Sequence, residues 1–295
     1  MIYEYLRKIY GNTIGFWQLK NAYAKYIGFW NGKKRLKLTS IYESERIIAN
    51  TIKSKEPFML SRYGSVEFRN LFNNEMKILS FNTGFFPRDD SLLEKFRKVY
   101  MDSSKNLDFL AIWNYQNHFL NKIKLLKQLP NIKNLVPLRT FEIDNNQWIK
   151  ELKDKRILVI HPFKKTIEYQ YNNKVLNILP RLKSLEVIKA IQTIAGEKDN
   201  RFQTWFDAID YMKEEIDKKD FDIAIIGCGA YGLPLAAYVK SKGKQALHFG
   251  GGTQLLFGII GNRWKKKIAN RKGWINPLPE DIPTNSKHIE GGCYW

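Results

Sequence analysis

Short apolar runs separated by longer segments of helical period set the framework of this chain. The runs Phe58 to Ser61, Leu107 to Trp113, Arg156 to Ile160, Leu185 to Ile188, Ile223 to Ile226 and Ala246 to Phe249 have strand length and are rich in Ile, Val, Leu and Phe. Between most of them apolar residues recur at helical spacing, as at Ile41, Ile47, Ile48 and Ile52, a pattern that stops before Pro57. The alternation predicts an α/β fold, Rossmann-like, with a mainly parallel sheet covered by helices on both faces. Residues 41–275 are expected to form that domain. Residues 1–40 are read as a basic, aromatic helical segment, and residues 276–295, with Pro277, Pro279 and Pro283, as an extended tail packed on the domain.

Ligands of such sheets collect at the carboxyl ends of the strands. The residues just after the strands here are polar or glycine-rich: Arg62 and Glu67, Asn114 and Gln116, His161 with Lys164 and Lys165, Gln192 and Thr193, and His248 with Gly250, Gly251 and Gln254. After Ile226 comes Gly227-Cys-Gly-Ala-Tyr-Gly232, in which Gly227, Gly229 and Gly232 fit G-x-G-x-x-G around Tyr231. Such a turn lets backbone approach a phosphate, or it only closes a strand onto its helix. A dinucleotide site would place an acidic residue at the end of the next strand to hold a ribose. That strand ends in His248, and no carboxylate occurs between Asp222 and Glu280, whereas Lys240, Lys242, Lys244, Arg263, Arg271 and further lysines do. The region suits a diphosphate better than NAD.

Charge narrows the partners without choosing one. The 295 residues carry a formal net charge of +20, which implies an anionic partner: lipid, nucleic acid or a phosphorylated substrate. The first 40 residues mix Tyr3, Tyr5, Phe16, Trp17, Phe29 and Trp30 with lysine and arginine, a composition that suits an anionic membrane surface or an ordinary packed helix. No run of 18 uncharged apolar residues and no signal-peptide pattern occurs, so a cytoplasmic, membrane-peripheral protein is expected. Two cysteines form neither a disulfide framework nor a zinc spacing.

Arg62 and Glu67 share one strand-to-helix turn, where an arginine can face a phosphate and a carboxylate can serve as base or metal ligand; an internal ion pair is the other reading. His161 and His248 sit at strand ends, as phosphate contacts or as hydrogen-bonded structural residues. Glu290 is a reserve base in a terminus that ends Tyr294-Trp295, and those aromatics could equally plug a groove. No P-loop, G-x-S-x-G, H-E-x-x-H or paired C-x-x-C motif is present.

Taken together, Ser61-Arg-Tyr-Gly-Ser-Val-Glu67, the 227–232 turn and Gly250-Gly-Gly-Thr-Gln254 resemble bacterial GT-D-type glycosyltransferases over roughly residues 55–265. Ile160-His-Pro-Phe163, Phe257-Gly-Ile-Ile-Gly-Asn-Arg-Trp264 and the Glu290-Gly-Gly ending are similar to proteins of surface polysaccharide clusters. The resemblance implies transfer of a sugar from a nucleotide-sugar donor to a glycan or lipid-linked acceptor. Together with the strand-end reading this makes Glu67 the first catalytic candidate and Glu290 the reserve, with Arg62, Gly64, His161, Lys164, Lys165, the 227–232 turn, His248, Gly250, Gly251 and Gln254 around the donor. GT-D enzymes carry Asp-x-Glu at the first turn and use a divalent metal, manganese or magnesium; here Ser65 replaces the aspartate, so only Glu67 is carried over and metal dependence is in question. Two other readings stand beside this one: an NAD-type oxidoreductase, and a non-catalytic module for nucleic acid or anionic lipid. The first lacks its ribose carboxylate, and nucleic acid is not the expected partner.

Overall fold

The computed structural model describes residues 29–30, 33–112, 119–138, 147–173, 178–268, 271–289 and 291–295. A two-stranded antiparallel hairpin, β1 (Phe29–Trp30) and β2 (Arg35–Leu36), leads into the main sheet of β3 (Phe58–Arg62), β4 (Phe109–Ile112), β5 (Asn134–Pro137), β6 (Arg156–His161), β7 (Ser184–Lys189), β8 (Ile223–Ile226) and β9 (Gln245–His248). These seven strands are parallel throughout, in the order β5-β4-β3-β9-β8-β6-β7. The Rossmann-like α/β expectation therefore holds.

Alternating side chains explain why both faces are covered. Met59, Leu158, Ile160, Ala224 and Ile226 point into one apolar layer, and Phe58, Leu60, Val159, Ile223 and Ile225 into the other. The first layer is closed by α3 (Met76–Thr83), α4 (Leu93–Ser104), α8 (Trp205–Asp217) and α9 (Gly232–Ser241), through residues such as Leu79, Phe96, Met212 and Leu235. The second is closed by α1 (Ile41–Ser54), α6 (Gln147–Lys150) and α7 (Lys164–Asn173), with Ile48, Trp148 and Ile167 inward. Three short helices complete the set: α2 (Ser65–Asn70), α5 (Phe119–Lys127) and α10 (Lys265–Ile268). Helix boundaries follow local chemistry. Ser40 caps α1 by accepting from Glu43 N, and Thr204 and Asp207 form a capping box on α8.

Two expectations change. Strand β5 is absent from the sequence reading because Asn-Leu-Val-Pro is short and ends in proline, which usually demotes a strand; here it is the sheet's edge, where proline is tolerated. Within residues 1–40, the part described is a hairpin rather than a helix, with Phe29 and Leu36 buried in the core; residues 1–28 lie outside the described residues.

The tail is tied to the domain at two places. Asp281 accepts from both Thr166 N and Thr166 Oγ1 at 2.7 Å, closing the first turn of α7. Further on, Gln254 Nε2 donates to Tyr294 O at 3.2 Å, and the backbone N–H groups of Asn262 and Arg263 donate to Trp295 O and Cys293 O at 3.2 and 2.9 Å.

Candidate functional site

A cleft of about 550 Å³ lies over the carboxyl ends of β3, β9, β8 and β6, within the range that holds a nucleotide-sized ligand. Successive strands are connected in opposite directions at this point. From β3 the chain moves outward to β4, and from β6 it moves outward to β7 on the other side, which is where open parallel sheets leave a crevice. Among the described residues, Arg62 and Arg263 are the cationic side chains lining the cleft and Glu67 is the carboxylate.

Glu67 stands in the first turn of α2 and is almost fully buried. Its carboxylate folds back over Gly64, so that a Cβ on Gly64 would overlap Oε2. Burial, followed by the nearby Glu67 charge, pushes the phenol of Tyr100 far up, so Tyr100 stays neutral and donates to Ala230 O at 2.6 Å. Arg62 donates from Nε to Tyr63 O at 3.2 Å, and its guanidinium lies against Gly250, whose φ of +61° no side chain adopts readily.

Both histidines are neutral. Burial pushes His161 down to about 3, and its Nδ1 accepts from Phe163 N–H at 3.0 Å, which leaves the proton on Nε2. His248 is likewise pushed down to about 3, by burial first and by the Arg62 charge second, and its Nδ1 shares a 2.7 Å hydrogen bond with Ser61 Oγ. They therefore bring hydrogen-bonding edges to the cleft and no positive charge.

Of the residues expected at the donor, Arg62, Gly64, His161, Gly227, Gly229, His248, Gly250, Gly251 and Gln254 converge on the cleft, together with Glu67. Four others do not. Lys164 faces a different recess and pairs with Glu168 at 3.7 Å, and Lys165 is exposed on α7. Tyr231 is buried and stacks on Trp205 with ring centroids 5.2 Å apart, and Gly232 packs against His248. Glu290, Asn114 and Gln116 lie outside the described residues. Part of the basic run after β8 is also elsewhere: Lys240, in the last turn of α9, bonds Asp108 at 2.6 Å, and Lys242, just past that helix, bonds Asp217 at 2.9 Å.

Two further parts of the wall come from outside the expected donor set. Arg263 reaches the cleft with its guanidinium 4.6 Å from the Tyr294 ring centroid. Tyr294 and Trp295 form the adjoining wall, with Tyr294 pressed on Gly251 and Trp295 6.2 Å from Phe163. The groove-plugging reading of the terminal aromatics describes that arrangement; Arg263 was visible only as one cation in a crowd.

Among the described residues Glu67 is the one side-chain carboxylate of the cleft, and no three of His, Cys, Asp and Glu converge.

No family model matches the sequence, and no curated protein matches it. The fold is similar to that of a selenomethionine-substituted structure of domain of unknown function 1792, at 13% identity and a TM-score of 0.50, over 83% of this chain and 92% of that one. Two further solved structures reach 0.48 and 0.47 at 13% and 12% identity. One is described as "the highly conserved domain of unknown function 1792 has a distinct glycosyltransferase fold" (83% and 92% covered); the other is a new glycosyltransferase of that class from Streptococcus sanguinis (74% and 82% covered). At 13% identity the likeness to the first of these shows a shared fold.

Proposed function

We propose that this protein is a glycosyltransferase that moves a sugar from a nucleotide-sugar donor to an acceptor hydroxyl. The observation that carries the reading is the convergence, in one switch-point cleft, of two arginines, one buried carboxylate and the backbone of two glycine turns. The shared fold with a domain of class 1792 accords with it.

In this reading the nucleoside diphosphate lies between Arg62 and Arg263, whose charges stabilise the negative charge that grows on the leaving phosphate. The bond from the sugar's anomeric carbon to the phosphate oxygen breaks, and that oxygen keeps the electron pair. An acceptor oxygen bonds to the same carbon and gives its proton to Glu67. His161 and His248, being neutral, orient sugar or phosphate groups by hydrogen bonding. The chain's own residues supply one carboxylate at this turn, so no step is assigned to a metal.

The acceptor is a surface glycan or its lipid-linked precursor, and the basic, aromatic residues 1–28 rest on anionic lipid. No helix among the described residues is long and apolar enough to cross a membrane. Deleting residues 1–28, while keeping the core residues Phe29 and Leu36, should abolish sedimentation with anionic liposomes; unchanged sedimentation rejects the membrane role.

The deciding test is a thermal-shift panel of UDP-, GDP-, CMP- and dTDP-sugars and of NADH, each with and without manganese. One nucleotide-sugar family should raise the melting temperature, and Arg62→Ala and Arg263→Ala should each reduce the rise. A response to NADH alone would replace this reading with that of an oxidoreductase.

A further inference from the structure

A second recess, of about 460 Å³, opens on the other side of Ile191 and Gln192, which wall both it and the main cleft. The carboxyl end of β7, the start of α7, helix α8 and the tail at Asp281 enclose it. Among the described residues its charges balance, with Lys164, Lys189, Arg201 and Lys219 against Asp199, Glu215, Glu280 and Asp281. Several are already paired: Arg201 with Asp199 at 2.6 Å, Lys219 with Glu186 at 2.7 Å and Glu215 with Lys218 at 2.6 Å. A recess with no net charge, in a chain of +20, is not built to attract an anion.

Asp281 stands apart. It is 3% exposed, and its Oδ2 takes both hydrogen bonds from Thr166. Among the described residues its Oδ1 has no hydrogen-bond partner, the Lys189 ammonium standing 4.0 Å away on a side chain that is 56% exposed. A buried carboxylate oxygen without a donor is unfavourable, and Lys189 is free to swing aside for a group that supplies one. A ligand rich in hydroxyl donors and without charge meets both conditions.

We propose that this recess binds a neutral sugar unit, with Asp281 Oδ1 accepting a hydrogen bond from one of its hydroxyls. The assignment of that sugar to the acceptor rests on the transferase reading. A glycan crossing Gln192 would present its terminal hydroxyl in the main cleft and hold its next unit in the recess.

Saturation-transfer NMR on the full chain, with the methyl glycosides of glucose, galactose, N-acetylglucosamine and rhamnose, tests this. At least one glycoside should show transfer to its ring protons. Binding should weaken tenfold or more in Asp281→Asn, which keeps an oxygen for Thr166 and turns an amide NH₂ toward the recess. It should also weaken in Lys189→Trp, which fills the recess from an exposed position. Thermal melts check that each variant is folded, and Lys189→Trp decides alone if Asp281→Asn is not. Absence of transfer from all four glycosides, or transfer that persists in a folded variant, overturns the proposal. Nucleotide-sugar binding by the same samples separates the two readings. Glycoside binding without nucleotide binding sinks the transferase and leaves this site, and the reverse outcome removes only this site.

Discussion

The turns after β3 and β8 share an outline of buried strand, glycine and helix, yet they present different things to the cleft. The first carries charge, Arg62 before the glycine and Glu67 after it, and the atoms nearest a Cβ on its Gly64 belong to the end of the Glu67 side chain. The second carries none. Its glycines are held by other parts of the protein: a Cβ on Gly227 would come 2.6 Å from Gly250 O and 2.7 Å from Thr253 Oγ1, one on Gly229 would meet Thr83 O at 3.0 Å, and one on Gly232 would overlap the His248 ring. In sequence this G-x-G-x-x-G turn reads either as a phosphate cradle or as a close-packing device, and its glycines pack closely against Gly250, Thr83 and the two neutral histidines. Of the two turns, the charged side chains are on the one without the G-x-G-x-x-G pattern.

Variants can break this division of labour. Glu67→Gln should leave nucleotide-sugar binding intact and lower transfer by about 100-fold or more, the usual contribution of a positioned general base; a variant that transfers normally removes Glu67 from the chemistry. Gly232→Ala and Gly227→Ala should each destabilise the fold by about 3 kcal/mol, because the new methyl meets buried, hydrogen-bonded neighbours, and urea unfolding would register this as a lower midpoint with an unchanged slope.

Acid should act on the second turn too. His161 and His248 are held near 3 in the folded state against 6.5 ordinarily, so below 6.5 the unfolded chain takes up protons that the folded chain refuses. Their contribution is complete above about pH 6.5 and is lost as pH falls toward 3, at about 1.4 kcal/mol per pH unit for each histidine. Melting at pH 7.5 and 5.5 checks this, and His161→Asn should flatten the dependence. The smallest effect is expected for Gly64→Ala. Its φ of −66° suits alanine, so stability should change by less than about 1 kcal/mol, while the displaced Glu67 carboxylate slows transfer. A loss as large as that of Gly232→Ala would erase the contrast between the turns.

Strand periodicity made most of the sheet readable, since Val159, Ile160, Ile225 and Ile226 sit in continuous apolar runs that only a doubly covered strand requires. The strand-end rule then located Arg62, Glu67, His161 and His248. What it could not supply was direction. Lys164 and Lys165 follow His161 closely, but α7 begins there and carries them away from the cleft, into a second recess and solvent. Arg263 and Tyr294 are brought to the wall by long-range backbone contacts, such as Arg263 N to Cys293 O, that leave no local pattern.

Strand β9 has a consequence for how the molecule assembles. It is the seventh strand of the main sheet to leave a ribosome, yet it lies between β3 and β8, with Leu60 beside Leu247. Until it arrives, β3-β4-β5 and β8-β6-β7 are two separate fragments, each with an open edge of unpaired backbone. Pairing of the main sheet therefore ends with an insertion across a sequence separation of 187 residues, which favours slow folding and a period of vulnerability to misassembly. His248 arrives on that same strand and meets Ser61 only then, so the cleft cannot be complete before the sheet is.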